Sequence, residues 1–322
     1  MTCGRPVAMP ASPPAAPKDD TLTNIVRIAG IVTLIACTAM LIFEICTVFW
    51  GFGDIWANVG SVDPPIVQIF VVVPFIVRLF SLTGALANAY YLFLVIAVLV
   101  SFVLLMYNSR EGFAGVLKGK FDKLDGMPLY AVVTLFVMYL SLNMILIFIV
   151  TAFGYDPAVP PMPDGWELWY LLLNASVWEE IICRVLIIGI PLIILGYSAG
   201  ENGSLKRLFG RCDMNKAAVV LIIASSAIFA LAHAGGWDLF KVIPTFVSGL
   251  ALGYLFVRYG LHAAIMLHFM VDYLSSFVWV YDSLTADMML GLFILAIIVL
   301  GIPFILLYAK RGYEYVKEMF SL

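Results

Sequence analysis

Charged residues are scarce in this chain of 322 residues. Asp, Glu, Lys and Arg make up 12% of it, against about 25% in an average soluble protein, whereas 63% of its residues are hydrophobic. A soluble fold with so few charges would expose large apolar patches to water, which excludes a soluble enzyme and a disordered regulator. The net charge of −3 also disfavours nucleic acid as a partner.

Cysteine and histidine motifs for metals or disulfides are missing too. None of the five cysteines forms a C-x-x-C pair, so the sequence indicates neither a disulfide framework nor a zinc knuckle. H-E-x-x-H is also absent, so no helix is predicted to offer two zinc-binding histidines one turn apart. The stretch 1–23 is rich in Pro and Ala and lacks the basic-then-apolar order of a secretory signal, which predicts a disordered tail.

Apolar runs of about 20 residues occupy most of the remaining chain, a length that suits transmembrane helices and not barrel strands. They predict an all-α, polytopic membrane helical bundle of about eight transmembrane helices, surrounded by lipid bilayer. A further apolar stretch, 65–82, contains Pro74 and Arg78, and we expect it to lie in the membrane interface or to extend the second helix. The predicted spans are 25–50, 84–107, 129–153, 168–197, 217–235, 240–257, 261–281 and 288–308.

Basic residues mark the loops on one side of the membrane. Lys and Arg occur in the stretches 108–128 and 198–216 and in the C-terminal tail, whereas 51–64 and 154–167 carry acidic residues and no base. Eight spans with both termini in the cytoplasm place every basic cluster inside, and we expect the plasma membrane. The sequence thus divides into a tail, 1–23; helices with a cytoplasmic loop, 24–160; a motif-bearing bundle, 161–285; and a last helix with a basic tail, 286–322.

Three ionisable residues lie well inside the fourth predicted span: Glu179, Glu180 and Arg184. Each costs about 2.5–3.5 kcal/mol at the centre of a transmembrane helix, so such residues are candidates for function. Glu180 and Arg184 are four residues apart and can pair, whereas Glu179 is rotated by about 100°. An unneutralised carboxylate in a site of low dielectric is suited to general-base work. The same cluster could instead serve only to hold helices together.

Two of the three histidines lie in later spans, within patterned sequence. His233 follows Phe229 by one helical turn, and His268 shares a helix face with Asp272. A single buried imidazole is commonly satisfied by a backbone carbonyl. Two histidines, an aspartate and Glu179 on three separate helices are better explained by one shared cavity.

These motifs resemble those of a known family of membrane proteins. E-E-x-x-x-R, F-x-x-x-H and H-x-x-x-D occur in the order of the CPBP family, which comprises type II CAAX prenyl endopeptidases and bacterial bacteriocin-processing and immunity proteins. The resemblance covers about residues 165–281 and implies an intramembrane endopeptidase. Its substrate would be a peptide, or a C-terminal segment of a membrane-associated protein.

The resemblance also implies roles for the motif residues. Glu179 resembles the base that activates a water, and His233 the residue that holds it. Glu180 and Arg184 resemble the pair that orients the catalytic helix, and His268 and Asp272 the motif for oxyanion stabilisation. The family also uses Asn at the last position, where the amide can donate; Asp272 can donate only if protonated. An ionised Asp272 is expected to orient His268 and leave the imidazole as the donor.

Metal dependence is left open by the resemblance, because the family has been described both as metalloproteases and as metal-independent glutamate proteases. Glu179, His233 and His268 could together bind a divalent metal such as zinc, with an open position for water. We expect catalysis by the glutamate without a metal.

Two other functional classes fit the same residues. A proton- or ion-coupled transporter also uses Glu, His and Arg in mid-membrane, and a non-catalytic scaffold or immunity protein would use the motifs structurally. Cys183 lies inside the first motif, yet no neighbour is suited to stabilise its thiolate, so a cysteine protease is disfavoured. Gly249 and Gly253 form a G-x-x-x-G pattern that we expect to pack within the chain. The oligomeric state is not predicted.

Overall fold

The computed structural model describes residues 21–72, 75–158, 161–163, 165–201, 204–235, 238–274 and 283–320. Residues 1–20 of the predicted tail lie outside these ranges, and the first helix begins at Thr21, inside the stretch assigned to the tail. The predicted all-α membrane bundle is confirmed. Its helices are α1 (Thr21–Asn58), α2 (Gly84–Leu117), α3 (Pro128–Ala152), α4 (Trp166–Asn174), α5 (Ile190–Ser198), α6 (Lys216–His233), α7 (Val242–Tyr259), α8 (Leu261–Tyr273) and α9 (Leu284–Phe320).

Seven helical segments of the described chain are long and apolar enough to cross a membrane, and each coincides with a predicted span. The remaining predicted span, 261–281, coincides with α8, which the structure describes only up to Tyr273 before the undescribed residues 275–282. The protein is therefore a multi-pass membrane protein.

Several helices are longer than the apolar runs predict. α1, α2 and α9 contain 38, 34 and 37 residues, more than the roughly 20 that the hydrocarbon core of a bilayer requires. The predicted loop 108–128 is accordingly wrong in its first half, because α2 continues to Leu117. Only a short 3₁₀ turn, Phe121–Leu124, separates this end of α2 from α3.

A β-hairpin occupies the ambiguous stretch 65–82. Strand β1 (Gln68–Val72) pairs antiparallel with strand β2 (Ile76–Ser81), with Phe70 opposite Arg78. The expectation that this stretch extends the second helix is wrong, since α2 begins only at Gly84. Val, Ile and Phe dominate both strands, and these β-branched and aromatic residues favour strand over helix. Pro74 lies outside the described residues.

The core of the bundle is formed by α8 and the first half of α3. Every residue from His262 to Met270 is buried, as is every residue from Pro128 to Tyr139. A helix that is covered on all sides belongs to the interior of its bundle, and α8 indeed contacts α2, α3, α4 and α7. His268 therefore sits at the centre of the molecule.

Helices α6 and α7 pack closely because α7 presents glycine to α6. A Cβ added at Gly249 would lie 2.9 Å from the Cα of Ser226, and one at Gly253 would lie 2.9 Å from the Cγ2 of Ile222. The expectation that this G-x-x-x-G pattern packs within the chain is confirmed. Asn215 caps the start of α6 by accepting a hydrogen bond of 2.9 Å from the amide of Ala218.

Candidate functional site

The helix that carries the first motif is not a regular α-helix. Between α4 and α5 it runs as two π-helical segments, Ala175–Glu179 and Ile181–Gly189. We refer to the whole helix, Trp166–Ser198, as the motif helix. π-helical turns are rare and are frequent at functional sites. Because a π turn holds more residues than an α turn, adjacent side chains diverge less than the predicted 100°, and Glu179 and Glu180 both face His268.

Glu180 and Arg184 form the ion pair that their spacing predicts. The Nε of Arg184 donates to the Oε2 of Glu180 at 3.1 Å, and both side chains are fully buried. The Nη1 of Arg184 donates to the Oγ of Ser225 on α6 at 2.7 Å, and that hydroxyl donates to the carbonyl of Cys183 at 2.6 Å. The pair thus fixes the motif helix to α6. Sequence analysis missed Ser225, although a serine pair, Ser225–Ser226, interrupts the apolar run of α6.

His268 is held by Glu180. Its Nδ1 lies 2.9 Å from the Oε1 of Glu180, so the imidazole donates there, because an ionised carboxylate can only accept. Asp272, which the sequence analysis expects to orient this ring, contacts the opposite nitrogen: its Oδ2 lies 3.4 Å from Nε2. Glu180 therefore sets the orientation of His268, and Asp272 faces the nitrogen that points into the site.

Glu179 faces two histidines. Its Oε2 lies 3.9 Å from the Nε2 of His233 and 3.9 Å from the Nε2 of His268. This oxygen is buried and has no hydrogen-bond partner among the described residues. A separation of 3.9 Å is too long for a direct hydrogen bond and suits a bridging water.

His233 is oriented by its own helix. Its Nδ1 lies 2.8 Å from the carbonyl of Phe229, to which it donates, and its Nε2 points toward Glu179. The ring of Phe229 stands edge-on to both imidazoles, with centroids 4.7 Å from His233 and 5.9 Å from His268. The Cζ of Arg184 lies 5.2 Å from the centre of the same ring. Phe229 thus forms one wall of the site.

All six site residues from the sequence analysis converge in this cluster. Four of them, Glu179, His233, His268 and Asp272, are 9–22% exposed in their side chains and face one position. Glu180 and Arg184 lie behind them, fully buried. Sequence analysis missed Ser176, whose Oγ lies 3.4 Å from the Oδ2 of Asp272; only its position one turn before Glu179 could have indicated it.

Glu179, His233 and His268 are also the candidate ligands of a metal ion. Within the part of the chain that the structure describes, no group of three His, Cys, Asp or Glu side chains could hold a metal ion. Two ligands that each lie 2.0–2.2 Å from one tetrahedral zinc ion stand roughly 3.3–3.6 Å apart, slightly less than the 3.9 Å from Glu179 to each histidine. The contact of Glu180 with the Nδ1 of His268 leaves the Nε2 of that ring directed into the site.

Comparison with known proteins identifies the segment that carries this cluster. No curated protein and no solved structure matches the chain. A family model matches residues 161–274, a range that contains all six site residues. The matching model is that of the family Type II CAAX prenyl endopeptidase Rce1-like, so the resemblance of the three motifs is confirmed and residues 161–274 are similar to that family.

Proposed function

We propose that the protein is an intramembrane endopeptidase that hydrolyses a peptide bond in a membrane-associated protein or peptide. The family match supports CAAX-type protease activity in general terms. One observation carries the proposal further: the buried Oε2 of Glu179 faces the Nε2 atoms of two histidines at 3.9 Å. A carboxylate and an imidazole at that separation can hold a water between them.

Glu179 and His233 are suited to bind the attacking water. Because the Nδ1 of His233 donates to the carbonyl of Phe229, the Nε2 of the neutral imidazole is an acceptor. A water between this nitrogen and Glu179 donates one hydrogen to each, and its lone pairs stay available for a peptide carbonyl. Glu179 then removes the proton as the carbon–oxygen bond forms, the usual role of a general base.

His268 is suited to stabilise the oxyanion. With Nδ1 donating to Glu180, a doubly protonated His268 has its Nε2–H directed into the site, near Glu179 and Asp272. A hydrogen-bond donor that is already in position before the reaction stabilises the negative charge on the oxygen of the tetrahedral intermediate. When the carbon–nitrogen bond breaks, the proton held by Glu179 passes to the leaving amine, which restores the carboxylate.

The substrate is proposed to be membrane-embedded. Glu179 lies 13 residues into the motif helix, which is roughly 20 Å at the α-helical rise. On the predicted topology, with both termini in the cytoplasm of a plasma-membrane protein, this depth would correspond to a site in mid-membrane with an outward bias. A peptide, leader sequence or membrane-anchored segment reaches such a site more readily than a cytosolic tail.

Terminal-peptide mass spectrometry tests this proposal. The termini of membrane proteins would be compared in cells that express the wild-type protein or the Glu179→Gln variant at equal levels. We expect a subset of new N- and C-termini that depends on Glu179. An unchanged set of termini would contradict the endopeptidase proposal, and loss of ion flux in liposomes would then favour a transporter.

Chelation tests the role of a metal. Because the buried carboxylate of Glu179 can act as the base without an ion, we expect proteolysis by the purified protein to persist after dialysis against EDTA or 1,10-phenanthroline. The measurement is the initial rate before and after treatment, with total zinc determined in the same samples. Inactivation that zinc alone reverses would show that Glu179 and the histidines hold a catalytic ion.

Cys183 is expected to be dispensable for catalysis. Its side chain is buried, and only its backbone carbonyl takes part in the hydrogen bonds of the cluster, as acceptor for Ser225. Cys183→Ser should keep its rate within about threefold of wild type, the effect of a small packing change. A folded Cys183→Ser variant without activity would revive the cysteine-protease interpretation.

A further inference from the structure

A lysine lies at the edge of the site, on a helix that carries none of the three motifs. Gly249 of α7 packs against Ser226 of α6, and the contact made four residues later on α7 falls four residues earlier on α6. The two helices are therefore antiparallel, and the same register brings Val242 level with His233, the last residue of α6. Lys241 directly precedes Val242 and is half-buried. A lysine side chain that starts at this level is long enough to reach the cluster.

Lys241 faces the acidic side of the site. Its ammonium group interacts electrostatically with the carboxyl groups of Asp272 and Glu179. Asp272 in turn interacts with Lys241, with both site histidines and with Glu179. On the predicted topology this end of α7 faces outward, where the positive-inside rule gives no reason for a lysine. The position of Lys241 is better explained by the two carboxyl groups that it faces.

The charges of the site balance when Lys241 is counted. The buried ion pair within the motif helix is neutral as a whole. Glu179 and Asp272 then leave two negative charges in a site that is mostly closed to water, and a doubly protonated His268 supplies one positive charge. The ammonium group of Lys241 supplies the second. Glu44 on α1 also interacts with Asp272, but its buried oxygens have no hydrogen-bond partner among the described residues, and an isolated buried carboxyl group is expected to be uncharged.

Asp272 lies close to the donor that is proposed to stabilise the oxyanion. Its Oδ2 is 3.4 Å from the Nε2 of His268, slightly beyond the roughly 2.7–3.2 Å of an N–H···O hydrogen bond. The Oγ of Ser176 lies 3.4 Å from the same oxygen. A small movement of an ionised Asp272 would close its contact with His268 and occupy the Nε2–H, because hydrogen bonds between two charged groups are strong. A second cation beside Asp272 opposes that movement.

We propose that Lys241 is a positioning residue, which balances the charge of Asp272 and thereby keeps the Nε2–H of His268 free for the oxyanion. This inference rests on the proposed endopeptidase function. An asparagine at position 272 would bring no charge that a lysine must balance. The need for Lys241 therefore depends on the carboxylate of Asp272, and removal of that carboxylate should remove the need.

A double-mutant cycle at positions 241 and 272 tests this dependence. The probe is a synthetic peptide that spans a cleavage site found by the terminal-peptide comparison. For Lys241→Met we expect kcat to fall about tenfold or more and KM to stay within about twofold, because the donor to the oxyanion is lost while the substrate still binds. Lys241→Arg keeps the charge and should keep kcat within about threefold of wild type. In the Asp272→Asn background, Lys241→Met should change kcat by less than about twofold.

Lys216→Met is the matched control. Lys216 is exposed at the start of α6, roughly 25 Å from His233 at the other end of that helix, so kcat should stay within about twofold of wild type. An equal loss from Lys241→Met in both backgrounds would show that Lys241 acts independently of Asp272 and overturn the proposal. A wild-type kcat in Lys241→Met would also overturn it, as would equal losses in Lys241→Met and Lys241→Arg.

The unfolding midpoint in detergent tests the pairing without peptide hydrolysis. Lys241→Met should lower the midpoint of the protein that retains Asp272, because a buried carboxylate loses its counter-ion. The same change should lower the midpoint much less in the Asp272→Asn background. Equal shifts in both backgrounds would overturn the pairing and leave the endopeptidase proposal standing. A wild-type protein that cleaves no peptide would refute the endopeptidase proposal, whereas the midpoints would still decide whether Lys241 and Asp272 are coupled.

The double variant decides the outcome if Lys241→Met alone does not fold. With no carboxylate at position 272, the double variant lacks the uncompensated charge and should fold. A folded double variant with the kcat of Asp272→Asn would support the proposal. A folded double variant with a kcat at least about tenfold lower would overturn it.

Discussion

Replacing Glu179 by Gln is expected to lower kcat/KM for peptide hydrolysis by about 10²- to 10⁴-fold, the usual contribution of a general base. Gln has nearly the same shape, so the packing of the motif helix should persist. The amide cannot accept a proton from the bound water, and in one of its two orientations its NH₂ replaces the acceptor oxygen that faces the Nε2 of His233 at 3.9 Å. The change therefore removes the base while it preserves the volume of the side chain.

A matched variant separates chemistry from damage to the helix. Glu167 lies in the first turn of the same helix, away from both histidines. Glu167→Gln should leave kcat/KM within about twofold of wild type, as for an ordinary substitution near the surface. Both proteins would be assayed as purified enzymes in nanodiscs, with their unfolding temperatures measured in parallel. Retention of more than a tenth of the activity by folded Glu179→Gln would exclude this residue as the base.

The helical bundle could be predicted because only helices and closed β-barrels can cross a lipid bilayer. Each apolar run of about 20 residues had to become a helix that satisfies its own backbone, and helices are found at all eight predicted spans. The helix ends could not be predicted in the same way. Beyond the hydrocarbon, polar residues continue α2 to Leu117 at little cost, and hydropathy carries no information about such extensions.

The composition of the site was predictable for a related reason. Charges inside a span are costly, so Glu179, Glu180, Arg184 and the two histidines stood out in the sequence. Their partners were harder to assign. The i,i+4 spacing indicates the contact of Glu180 with Arg184, but the contact of Glu180 with His268 joins residues 88 positions apart. No local pattern could have indicated it, so the sequence analysis named Asp272 alone, although two carboxylates, Glu180 and Asp272, contact the ring.

Two local features escaped prediction because they depend on tertiary contacts. The π-helical turns from Ala175 to Gly189 have no composition of their own. The hairpin reads as one apolar stretch, and helix and strand are not distinguished by a short apolar run alone. Its strand pairing is fixed in part by Trp178, which binds the carbonyl of Phe70 from another element. The π-helical turns contain Glu179, and the hairpin contacts Trp178, the residue before it, so local propensity gives way there to the requirements of the site.

Replacing Arg184 by Met is expected to lower the free energy of unfolding by about 3–5 kcal/mol, because it leaves the carboxylate of Glu180 buried without its counter-ion. Arg184 is fully buried between Glu180, Ser225 and the ring of Phe229, and Met preserves most of its volume. The measurement is the unfolding midpoint in detergent with increasing SDS. Ser225→Ala, which removes one hydrogen bond to Arg184, should cost only about 1–3 kcal/mol.

The double variant Glu180→Gln/Arg184→Met distinguishes the loss of the charge pair from the loss of catalytic geometry. Once both charges are absent, no uncompensated carboxylate is left in the core, and much of the stability should return. Activity should not return, because the glutamine side chain offers His268 either an amide donor or a neutral oxygen where Glu180 now accepts at 2.9 Å from Nδ1. A double variant that is stable and fully active would show that the buried pair only holds helices together. A stable and inactive one would establish Glu180 as the residue through which the ion pair orients His268.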